Sequence, residues 1–245
     1  MRLLLLGGTA EARALAERLH PDIDIISSLA GRVPDPALPV GPVRIGGFGG
    51  VDGLSDWLVE NDVTAVVDAT HPFAATITAH AAAACAEVGV PLVILHRPPW
   101  DPAGATVVAT DSDAAEIITA KGYSRVFLTT GRSGVAAFSG SDAWFLIRVV
   151  TAPDPQLLPP NHELLLSRGP YGYDDECELL RSRGIEALVT KNSGGAMTEA
   201  KLAAASSLGA DVVMIQRPAL PDGVAVVSSV QDAVAWVLNR GNAVA

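Results

Sequence analysis

The 245 residues are 49% hydrophobic and only 18% charged, enough apolar material for one large core or two modest ones, which argues against a disordered chain. A formal net charge of −10 works against non-specific nucleic-acid binding and repels anions at long range, so any anionic substrate must meet local basic groups. No stretch reaches the roughly 20 apolar residues of a membrane span, Leu3 to Leu6 is too short for a signal-peptide core, and Cys85 and Cys177 make neither a disulfide framework nor a zinc cluster, so the expectation is a cytoplasmic protein without metal or membrane partner.

Short apolar runs alternate with Ala- and Leu-rich helical patterns, the rhythm of a parallel α/β sheet. The first strand, Arg2 to Leu6, runs into Gly7-Gly8-Thr9-Ala10-Glu11-Ala12 and a helix from about Thr9 to Leu19. Thr9 and Ala12 stand at the second and third glycine positions of GxGxxG, so this is either a pyrophosphate-binding turn at a helix N-terminus or a tight strand-to-helix turn. A second strand, Ile23 to Ser27, leads into Ser27-Ser28-Leu29-Ala30-Gly31-Arg32. NAD-binding folds usually carry a carboxylate there for the ribose, and none follows this strand. Hydroxyls with the Arg32 guanidinium suit a 2′-phosphate instead, which favours NADPH; the plain alternative is a capped turn with a solvated charge.

Val43 to Ile45 precedes Gly46-Gly47-Phe48-Gly49-Gly50, where glycines permit close backbone approach and Phe48 offers a ring to a ligand. Ala65 to Asp68 opens Asp68-Ala69-Thr70-His71-Pro72-Phe73, with His71 held extended by the proline that follows. Strands at Leu92 to Leu95 and, after a proline-rich turn, Thr106 to Ala109 complete the first half.

The second half repeats the series at Arg125 to Thr129, Trp144 to Val149, Glu163 to Leu166, Ala187 to Thr190, Val212 to Ile215 and Val224 to Val227. Arg2, Gly8, Ser28 and Phe48-Gly49 recur 123 positions later as Arg125, Gly131, Thr151 and Tyr171-Gly172, and both fifth strands end in Arg-Pro, at Arg97-Pro98 and Arg217-Pro218. Two open-sheeted domains are expected, Met1 to Tyr123 for the dinucleotide and Ser124 to Ala245 for the substrate, with an interdomain cleft at the carboxyl ends of their strands. The second-half loops are Thr129-Thr130-Gly131-Arg132-Ser133-Gly134, Ser167-Arg168-Gly169-Pro170-Tyr171 and Lys191-Asn192-Ser193-Gly194-Gly195. Arg132, Arg168 and Lys191 at matched strand ends suit a ligand with several carboxylates.

On LGGTAE at Leu6 to Glu11, SLAGR at Ser28 to Arg32, GGFGG at Gly46 to Gly50, DATHPFA at Asp68 to Ala74 and KNSGG at Lys191 to Gly195, the chain resembles the precorrin-6A reductases over nearly its whole length. The resemblance implies NADPH-dependent reduction of one macrocycle C=C bond of precorrin-6A to give precorrin-6B, and two Rossmann-like domains with the option of an exchanged strand. It also implies that the Gly7 to Glu11 turn, Ser28 and Arg32 hold the dinucleotide. Gly47, Phe48, Asp68 and Thr70 are further cofactor candidates; His71, Thr130, Gly131, Arg132, Arg168, Gly169, Lys191, Asn192, Ser193 and Gly194 are substrate candidates. His71, Tyr171 and Lys191 are candidate proton donors, and water is a fourth. A short-chain dehydrogenase would need Tyr-x-x-x-Lys, which none of the three tyrosines provides, and a two-lobed small-anion binder without catalysis would bind no pyridine nucleotide. A monomer is the default, since two domains do not require a dimer.

Overall fold

The computed structural model describes residues 1–31 and 37–241. Among the described residues twelve strands form two six-stranded sheets, parallel throughout. In chain order they are β1 Arg2–Leu6, β2 Asp24–Leu29, β3 Val43–Ile45, β4 Ala65–Asp68, β5 Leu92–Leu95, β6 Thr106–Val108, β7 Arg125–Thr129, β8 Trp144–Val149, β9 His162–Leu166, β10 Ala187–Lys191, β11 Asp211–Ile215 and β12 Ala225–Val227. The helices are α1 Ala10–Leu19, α2 Val51–Glu60, α3 Ala75–Val88, α4 Asp111–Lys121, α5 Tyr173–Ser182, α6 Ala200–Leu208 and α7 Val230–Gly241. The sequence-based strands and first helix are all present, with ends differing by a residue or two.

The first sheet has the order β12-β5-β4-β1-β2-β3 and the second β6-β11-β10-β7-β8-β9. Leu3 and Leu5 of β1 enter the core beneath α1 and α7, while Leu4 and Leu6 enter the one beneath α2 and α3. A strand alternates its side chains between faces, so a run of four leucines reads as a strand buried on both sides. All four are 0–2% exposed, and each contributes about 1.5–3 kcal/mol by burial.

The expected boundary at residues 123/124 differs from the observed division. One compact unit comprises Met1–Pro98 with Pro218–Ala245, the other Pro99–Arg217. After β5 the chain adds β6 beside β11 of the second sheet, and after β11 it adds β12 beside β5 of the first. Each exchanged strand takes its helix along: Ala114 and Ile118 of α4 are buried in the second unit, and Ala233 and Val237 of α7 lie in the core of the first. Prolines 98, 99, 218 and 221 stiffen both crossings and disfavour a tight return to the parent sheet.

Candidate active site

The loops at the carboxyl ends of the strands place most sequence-predicted residues where an open parallel sheet binds ligands. In the first unit Gly7 donates its N–H to Ser28 O at 2.9 Å, tying the turn after β1 to the end of β2. Gly8, at φ +113°, has open space where a Cβ would stand, so backbone at this turn is accessible. Thr9 caps α1: its Oγ1 accepts from Ala12 N–H and donates to Ala69 O at 2.7 Å, leaving its backbone rather than its hydroxyl for a ligand. Glu11 pairs with Arg97 at 2.8 Å, which commits this carboxylate within the unit.

Ser28 is buried at the end of β2, and the side chain beside it is Arg44 of β3, a residue that sequence reasoning missed. Arg44 Nη1 donates to Ser28 Oγ at 3.3 Å and to Gly46 O at 2.7 Å, and Nη2 donates to Gly47 O at 2.6 Å. Its guanidinium lies 3.7 Å from the Phe48 ring centroid, with Trp57 edge-on to that ring. Partial burial pulls the Arg44 pKa below the usual arginine value. Neighbouring Ser27 Oγ is buried with no hydrogen-bond partner among the described residues. Arg32 lies outside the described residues.

The loop after β4 is held from within. Asp68 Oδ1 accepts from both the N–H and Oγ1 of Thr70, at 2.9 and 2.6 Å, and Oδ2 accepts from Thr78 Oγ1 at 2.6 Å. Asp68 and Thr70 therefore shape the loop. His71 is exposed, and its Nδ1 accepts from Phe73 N–H at 3.2 Å, so a neutral ring carries its proton on Nε2.

In the second unit Arg132, which opens a 3-10 turn after β7, and Arg168, in the loop after β9, are exposed, and Gly131, at φ +77°, precedes Arg132. Gly169 backs closely onto Met197 O, which also accepts from Tyr171 N–H at 3.2 Å. The Tyr171 ring lies under the Arg148 guanidinium at 3.7 Å, and Arg148 forms a buried two-pronged pair with Glu176 at 2.5 and 2.8 Å. The register pairs Leu128 with Ile147 as it pairs Leu5 with Ser27, so one residue further along the strand Arg148, rather than Thr151, takes the place of Ser28.

Lys191 ends β10, with its ammonium 3.6 Å from Asp111 Oδ2 at the start of α4. Thr130, 3% exposed, has an Oγ1 without a hydrogen-bond partner among the described residues. Asn192 was expected to face substrate, but its amide is spent on Trp100: Oδ1 accepts from Trp100 N–H at 2.8 Å and Nδ2 donates to Trp100 O at 3.1 Å. Arg217 donates to the carbonyls of Asn192 and Ser193 at 2.7 and 3.0 Å, while Gly194, also buried, is followed by Gly195, whose carbonyl accepts from Trp100 Nε1 at 3.1 Å. The 191–195 loop thus grips both crossing segments. Neither Trp100 nor Asp111 was singled out from sequence, because each reaches its partner only through the exchange.

Comparison with known proteins gives a coherent picture. The family model described as "Precorrin-6x reductase CbiJ/CobK" matches residues 2–238. A precorrin-6A reductase of Mycobacterium tuberculosis is 68% identical over 236 residues, covering 96% of this chain and 97% of that one. A cobalt-precorrin-6A reductase of Priestia megaterium is 30% identical over 97% of this chain and 98% of its own. The solved structure of "CobK precorrin-6A reductase" superposes with a TM-score of 0.90 at 41% identity, covering 98% of this chain and 97% of that one.

Proposed function

The chain belongs to the precorrin-6x reductase family, as an oxidoreductase that reduces a C=C bond of precorrin-6A in cobalamin biosynthesis, and from that premise we propose how its residues divide the work. NADPH is the reductant in this reading, held by the first unit. The turn from Gly7 to Thr9 fits a pyrophosphate, since Gly8 leaves room for close approach and the N–H groups of the first turn of α1 favour an anion. The observation that carries the choice of NADPH is Arg44 beside Ser28 where an NAD enzyme would place a carboxylate. A guanidinium there matches a 2′-phosphate, with Arg32 a second candidate and Phe48 and Gly47 shaping the edge. When bound, NADPH supplies a hydride to one carbon of the macrocycle double bond.

The chain's own residues bind, orient and balance charge. Arg132, Arg168 and Lys191 take up substrate carboxylates, offsetting the repulsion of a protein of net charge −10. Asp68 and Thr70 fix the loop on which His71 sits, so His71 positions a ligand, and the proton for the second carbon comes from water or from an acid at the substrate edge. Precorrin-6A, NADPH and one proton then balance precorrin-6B and NADP⁺.

The test is a fluorescence titration of Arg44→Ala with both dinucleotides. NADPH binding should weaken by about 1.5–3 kcal/mol, the range for hydrogen bonds to charged groups. NADH should change little; equal losses would remove the 2′-phosphate assignment from Arg44.

A further inference from the structure

The duplication lets each position in one unit be read against its counterpart in the other, and one pair of counterparts differs in kind. The β1–β4 register sets Asp68 opposite Leu6 and the β7–β10 register sets Thr190 opposite Thr129, so the next residues, Ala69 just past β4 and Lys191 at the end of β10, are equivalent. The exchanged helices are matched as well. Thr110 and Asp113 cap α4 as Ser229 and Asp232 cap α7, which makes the first helical residues, Asp111 and Val230, equivalent. In the first unit these positions are apolar: Ala69 is 1% exposed in the core beneath α1 and α7, and Val230 packs against that core. In the second they are the Asp111–Lys191 ion pair, half-buried at the carboxyl end of β10. The fold evidently closes this corner with a methyl and an isopropyl group, so it does not need charges there.

Two further features mark the corner. Asp111 Oδ1 and Thr130 Oγ1 are both buried without hydrogen-bond partners among the described residues. A Cβ at Gly134 would lie 2.2 Å from Asp111 Oδ1 and 2.5 Å from Thr130 Oγ1, so glycine is required for the two oxygens to stand where they do. Its counterpart in the first unit, 123 positions earlier, is Glu11. A carboxylate next to a cation that meets a polyanion weakens simple attraction, which makes sense only if the direction of the ammonium matters more than its charge.

We infer that Asp111, brought into the second unit by the exchanged helix α4, is a positioning residue that aims the Lys191 ammonium at the precorrin. The inference rests on the reading of Lys191 as ligand-facing. The experiment is a double-mutant cycle of Asp111→Asn and Lys191→Ala, followed by steady-state reduction of precorrin-6A. Asp111→Asn should lower kcat/KM for precorrin-6A by about 10- to 100-fold, as misplacing a functional group does. The KM for NADPH should stay unchanged, and the double variant should be no worse than Lys191→Ala alone. An Asp111→Asn enzyme within twofold of the parent, or losses that multiply in the double variant, would overturn the inference while leaving Lys191 in place. A fully active Lys191→Ala enzyme would overturn the underlying reading and the inference with it. Asp111→Val with Lys191→Ala installs the pair of the first unit. It should fold with an unchanged Tm and lose activity as Lys191→Ala does; failure to fold would show the ion pair to be structural and overturn the inference.

Discussion

Replacing Asn192 by alanine separates two roles for the 191–195 loop, holding the chain crossing and touching a ligand. Asn192 and Trp100 are 9% and 5% exposed, and the amide is the partner of both the N–H and the C=O of Trp100. Truncation leaves two backbone groups buried and unpaired, at about 1–3 kcal/mol each, hence roughly 2–6 kcal/mol in all. For a chain of this size each kcal/mol moves Tm by about 2–4 °C, so the expected fall is about 4–24 °C. Thermal unfolding followed by circular dichroism measures the fall, and hydrogen exchange at the Trp100 amide locates it. Asn192→Asp keeps the acceptor but sets a charge against Trp100 O, and should be at least as damaging. A Tm within about 1 °C of the parent, together with a tenfold rise in the KM for precorrin-6A, would refute the reasoning and return Asn192 to the substrate.

Two other buried groups give predictions of different sign. Glu176→Gln removes the charge that neutralises Arg148, at 2% and 5% side-chain exposure, and should cost about 3–5 kcal/mol in urea unfolding. Burial pushes the Lys201 ammonium down from its usual 10.5 to about 7, with Arg148 adding repulsion; hydrogen bonding to Thr198 O and the Trp100 ring 4.4 Å away support the group. The unfolded chain then binds the extra proton between about pH 7 and 10.5, so the Lys201 contribution to stability rises with pH across that window. Lys201→Met should therefore gain stability over the parent at pH 7 and lose that advantage toward pH 10, as read from denaturant midpoints.

The strands and their two-sided burial were legible because β1 carries the run Leu3 to Leu6 and β4 the run Ala65 to Val67, each beside a recognisable turn. The exchange was not. β6 reads Thr-Val-Val and β12 Ala-Val-Val, both are three-residue edge strands, and both lead into a capped helix. Local pattern is nearly identical for the two, so it carries no information on which sheet each joins; that choice is made by nonlocal contacts such as Asn192 with Trp100. The site shows the same division. The glycine turns and His71 could be placed at strand ends because they follow apolar runs, whereas Arg44 looked like an ordinary strand residue and its approach to Ser28 exists only once β2 and β3 pair.

Divergence between the halves also bears on which of them takes the dinucleotide. In the first unit a guanidinium from β3 lies on Phe48 and reaches Ser28. In the second a guanidinium stands at the position of Ser28 itself, lies on Tyr171, the counterpart of Phe48, and is closed off by Glu176. A phosphate entering there would have to break a buried two-pronged ion pair, a loss of several kcal/mol before any gain. In the equivalent corner of the first unit Arg44 has no carboxylate partner among the described residues and is bonded to Ser28 Oγ and the carbonyls of Gly46 and Gly47. The second unit instead has Arg132 where the first has Thr9, and Lys191 where the first has Ala69. On the proposed reading the first unit keeps a corner for phosphate that the Arg148–Glu176 pair fills in the second, while Arg132 and Lys191 of the second serve a polycarboxylate, the division of labour expected when one half binds a nucleotide and the other a tetrapyrrole.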